Sequence, residues 1–78
     1  MLNERWNKMV KQYKRGEMQK EYDEDRGGWV LPCSTSEQLM IALATGHRDL
    51  LRGWDGFDAF FKRLNDEQRE IVKHYRNF

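Results

Sequence analysis

One cysteine, Cys33, and two scattered histidines, His47 and His74, leave this 78-residue chain without either staple on which short sequences often rely. A lone thiol cannot build an internal disulfide framework. One Cys with two His cannot complete a tetrahedral zinc site. A chain of this length is one domain, near the lower limit at which a single core supports itself. Stability must therefore come from large side chains, and the ten aromatic residues suit that need. Dimerisation is the other route.

The formal charge of +1 creates no global field to attract nucleic acid or anionic lipid. The N-terminal "MLNERWNKMVKQYKRG" lacks the apolar run of a signal peptide. The longest apolar run, "LMIALA" from Leu39 to Ala44, is far short of the roughly 20 residues of a membrane span. With a single reduced cysteine, these features point to a cytoplasmic protein that has no membrane association.

Helical periodicity dominates the chain, and no stretch alternates long enough to announce a strand. Leu2, Trp6, Met9, Val10 and Tyr13 fall within about 100° of one another on a helical wheel. Beyond Gly16 the pattern changes phase. Either the helix breaks there, or it runs on and shows a second patch, with Lys11, Arg15, Met18 and Tyr22 spaced four, three and four apart. The continuous reading is favoured, with fraying before Arg26 because the acidic residues Glu21, Asp23, Glu24 and Asp25 oppose the C-terminal dipole.

Gly27 and Gly28 stop this helix, and Trp29-Val30-Leu31 crosses the body extended, since the residue before Pro32 is biased away from helix. Trp29 is the expected anchor of this packed connector, which spans residues 27–34. Ser34 and Glu37 have capping-box spacing and open a second helix that runs to about Thr45 and stops at Gly46. Its apolar residues surround the axis, so it should be the most buried element. "HRDLLRG" makes a short turn closed by Gly53. A third helix carries Trp54, Phe57, Phe60, Phe61 and Leu64 on one stripe. A fourth is capped by Asn65 and Gln68 and buries Ile71, Val72, Tyr75 and Phe78. The expected fold is all-α, a compact bundle of about four helices.

No constellation points to catalysis, a cofactor or a metal. "DEDRGG" fails as a calcium loop, because positions 5 and 12 counted from Asp23 are Gly27 and Ser34. Nothing brings Cys33 and His74 together, and the glycines match no phosphate-binding fingerprint. "RLNDEQREIVKHY" resembles the first helix of helix-turn-helix units, over a fraction of the chain that identifies no family.

The remaining signal is the basic character of residues 1–20, with six Lys or Arg against two Glu. Two functions follow. The first is a non-catalytic protein-binding module that meets another protein through Lys11, Arg15, Met18 and Tyr22. That profile is shared by small regulators and inhibitors, including those carried by phages and mobile elements. The alternative is a weak nucleic-acid binder using Arg5, Lys8, Lys11, Lys14 and Arg15.

Overall fold

The computed structural model describes residues 4–76. The expected positions Leu2 and Phe78 lie outside the described residues. The order is α1 (Glu4–Lys14), β1 (Glu21–Asp23), β2 (Gly28–Val30), α2 (Thr35–Thr45), a 3-10 turn (Arg48–Leu51), α3 (Gly56–Asp58) running into a π-helical turn (Ala59–Arg63), and α4 (Asp66–Arg76). The fold is mostly helical, with four α-helices among the described residues. The two-stranded sheet corrects the all-α expectation.

The correction begins at Gly16. The Gly16 amide donates to the Tyr13 carbonyl and the Glu17 amide to Gln12, while Gly16 itself sits at φ +77°. This is a Schellman stop, which closes α1 and reverses the chain. The continuous helix through Met18 and Tyr22 does not form: Gly16 supplies a left-handed conformation that another residue would adopt at a cost of about 1 kcal/mol or more. Replacing Gly16 by Ala is therefore expected to destabilise the protein by about 1 kcal/mol in urea denaturation, since no neighbouring atom would clash with the new methyl. In a helix interior the same change would stabilise by a similar amount, so the sign alone discriminates.

After the reversal, Glu21–Asp23 pairs antiparallel with Gly28–Val30, Tyr22 facing Trp29 across the ladder. Asp23 closes the turn between them, its Oδ1 accepting from the amides of Asp25 and Arg26. The acidic run thus makes a turn of its own instead of a frayed helix end.

The connector is packed, though by a different residue than expected. Leu31 is 5% exposed, whereas Trp29 stays 36% exposed. Leu31 anchors the connector because Trp29 points to the outer face of the hairpin. The tie to the body is Gln38, 2% exposed on α2. Its Oε1 accepts from the Leu31 amide at 3.0 Å, and its Nε2 donates to the carbonyls of Trp29 and Leu50, each at 2.9 Å. One side chain thereby satisfies backbone groups from β2, the connector and the 3-10 turn.

Helix α2 lies at the centre, against α1, α4, the 3-10 turn and the π turn. Leu39, Met40 and Ile41 on it are fully buried, together with Val10, Leu50, Ile71 and Val72. The expected capping box is present. Ser34 Oγ accepts from the Glu37 amide and Glu37 Oε1 from the Ser34 amide, both at 3.2 Å. Glu37 also takes the Trp6 indole N–H at 3.1 Å and faces Arg5 at 3.4 Å. Burial works against its charge, but Ser34, Arg5 and Trp6 outweigh that and hold the carboxyl below its usual range. Gly46 ends α2 at φ +77°. Asn65 and Gln68 exchange the expected reciprocal bonds at the start of α4, at 2.9 and 3.0 Å.

The third helix departs from its expected stripe. Asp55 caps three residues of α-helix, its Oδ1 accepting from the amides of Phe57 and Asp58, and the chain then widens into the π turn. Widening shifts the angular phase. Ala59, Phe60 and Leu64 are buried, while Phe57 and Phe61 are 70% and 55% exposed.

Candidate docking surface

Alternation along two three-residue strands puts Tyr22 and Trp29 on the same outward face. Their rings meet edge to face at 5.4 Å, a favourable arrangement for the ring quadrupoles. Tyr22 nonetheless remains 58% exposed. Lys20, just before β1, places its ammonium 4.9 Å from the Trp29 ring centroid. The same ammonium pairs with Asp49 of the 3-10 turn. That hydrogen bond raises the Lys20 pKa and lowers that of Asp49.

Around the pair the charge is negative. Asp23 is engaged with Arg26 at 3.5 Å, but Glu21, Glu24 and Asp25 are exposed and make no ion pair among the described residues. An aromatic face beside free carboxylates is chemically suited to a cation: the ring faces attract it by their quadrupole and the carboxylates by charge.

Of the four residues expected to form one partner-binding face, only Tyr22 is on this surface. Lys11 is exposed on α1, and Arg15, just past its end, pairs with Glu17 at 3.0 Å. Met18 lies beyond the reversal, half-buried against the core. The stop at Gly16 keeps these four from sharing a helical face. Of the alternative nucleic-acid set, Arg5 pairs with Glu37, Arg15 with Glu17, and Lys14 lies 5.3 Å from the Tyr75 ring centroid. Lys8 and Lys11 remain exposed.

A cleft of about 600 Å³ opens where α1, α2 and α4 end, lined by Lys14, Lys20, His47 and Arg76 with the hydroxyl-bearing rings of Tyr13 and Tyr75. The Tyr13 hydroxyl and His47 Nδ1 are 2.6 Å apart. Three helix C-termini bring about half a negative charge each, and Asp49 adds one more. Lys14, Lys20 and Arg76 roughly offset that total, so the cations stabilise helix ends and leave little surplus for an anion.

Catalytic chemistry finds no support in the cysteine. Burial, with a smaller contribution from Glu37, pushes the Cys33 thiol up to about 11, away from the reactive thiolate. Among the described residues no group of three or more His, Cys, Asp or Glu is placed to hold a metal, and no helix is long and apolar enough to cross a membrane.

A second apolar surface went unseen in the sequence. The Phe57 and Phe61 rings meet in a tilted contact, centroids 4.6 Å apart, beside a cleft of about 510 Å³ lined also by Leu43, Gly56, Phe60 and Lys73. Five apolar residues on an assumed single stripe concealed it. The one available signal was their number, more than a short helix can bury.

No protein family, curated protein or solved structure matches this chain at a significant level.

Proposed function

We propose that this protein is a non-catalytic binding module that docks a basic segment of a partner protein on the Tyr22–Trp29 face of its hairpin. The observation that carries the reading is the exposed aromatic pair bordered by carboxylates that make no ion pair among the described residues. Lys20 over Trp29 is an intramolecular instance of the contact a partner's Lys or Arg would make on Tyr22. Such a module acts by occupancy, as a regulator or inhibitor does. Nucleic acid is the less favoured partner, because Glu37 and Glu17 already engage two of the five cations and the acidic turn repels phosphate.

The test is fluorescence anisotropy with a labelled Lys/Arg-rich peptide and, separately, a labelled DNA duplex. The peptide is expected to bind, with Tyr22→Ala weakening it by about tenfold, the loss of a cation–π contact worth 1–2 kcal/mol. Glu24→Lys with Asp25→Lys should weaken it further, with unchanged circular dichroism. Peptide affinity indifferent to Tyr22→Ala refutes the proposal. So does tight DNA binding that falls steeply with salt and is lost in Lys8→Ala with Lys11→Ala.

A further inference from the structure

The Phe57–Phe61 cleft is remote in sequence from the hairpin and calls for its own occupant. Leaving two adjoining phenyl rings more than half exposed is unfavourable for a small domain that has neither a disulfide nor a metal to stabilise it. We infer that this cleft is the face through which two copies of this chain associate.

Three observations point to a second copy. The face holds a projection and a recess side by side: the Phe57 and Phe61 rings stand out, and the floor beside them is Gly56, which has no side chain, against Leu43. A two-fold contact needs this self-complementary form, each copy inserting into the other what it receives. Second, the rim has both signs in balance, with Lys62 facing Asp58 at 3.6 Å and Lys73 facing Glu70 at 3.4 Å. A balanced rim meets its own copy without like-charge repulsion and offers no net charge to select a foreign partner. Third, the area fits a weak dimer. At ~200 Å² per phenylalanine the two rings expose about 250 Å² per copy. A standard interface buries about 800 Å² per partner, so Leu43 and the rim must supply the rest, and association is concentration-dependent.

Sedimentation velocity from about 5 µM to about 1 mM tests this, with two variants that act differently. Wild-type protein should rise from 9.5 kDa towards twice that mass. Phe61→Gln removes one exposed ring. Gly56→Ala raises the floor while leaving both rings, and it is compatible with folding because a Cβ there meets Leu43 Cδ2 at 3.6 Å, an ordinary contact. Both variants should stay at 9.5 kDa throughout with unchanged melting temperatures. Tyr22→Ala should dimerise like wild type, which separates this inference from the peptide-binding proposal. Wild-type protein that remains monomeric at the highest concentration overturns it, as do two variants that self-associate as strongly as wild type.

Discussion

Gln38→Ala is expected to destabilise the protein by about 3–6 kcal/mol, a large fraction of the total stability of a domain this small. The substitution removes three hydrogen bonds and strands the Leu31 amide and the carbonyls of Trp29 and Leu50. A buried backbone group deprived of its partner costs about 1–3 kcal/mol, and water reaches the Trp29 carbonyl more easily than the other two. A domain of this size holds about 4–12 kcal/mol in total at 0.05–0.15 kcal/mol per residue. A single polar side chain thus ties three backbone segments to α2. Gln38→Leu should be nearly as damaging even though it keeps the volume, which separates the hydrogen bonds from packing. Urea denaturation measures both. A loss under about 1 kcal/mol for either would mean that the connector is held by Leu31 alone.

The second large effect is a contrast between neighbours. Phe60→Ala should cost about 3–5 kcal/mol, as expected for a buried aromatic. Phe61→Ala and Phe57→Ala should each cost less, about 1 kcal/mol, because both rings are more than half exposed. An uninterrupted α-helix with one apolar stripe would give comparable losses at all three positions. The π turn at Ala59–Arg63 makes the difference, and π turns occur frequently at functional sites. Thermal melts of the three variants decide between the two arrangements.

These two cases also show which parts of the structure could be read from the sequence. Features built within one helical turn were legible: the Ser34–Glu37 box, the Asn65–Gln68 exchange, and the stop at Gly46. Each is a side chain or a glycine acting on backbone three to five residues away, so its residue type and spacing identify it. The hairpin was not legible, because its strands have three residues each, too few to show alternation. It also depends on Gln38, which lies seven and nine residues beyond the groups it binds. At Gly16 the sequence allowed both a break and continuation. A glycine costs a helix only about 1 kcal/mol, and the phase change that marked the break also fitted a second patch.

The candidate surface shared that fate. Tyr22 is exposed beside a charged segment, as expected, but its neighbours are Trp29 and the acidic turn instead of Lys11 and Arg15. The reversal exchanges a basic face for an acidic one and so inverts the sign of the favoured partner. Trp29 changes role as well, from buried anchor to half of an exposed pair. Only the cross-strand register, which is a non-local property, could have revealed either.

The functional account rests on the chain reversing at Gly16 so that Tyr22 faces Trp29. Nuclear Overhauser contacts in the isotope-labelled protein test this most directly. The account predicts ring-to-ring contacts between Tyr22 and Trp29, with cross-strand backbone contacts for the pairs Glu21–Val30 and Asp23–Gly28. An unbroken series of sequential helical amide contacts from Glu4 through Tyr22, with no contact between the two rings, would contradict it.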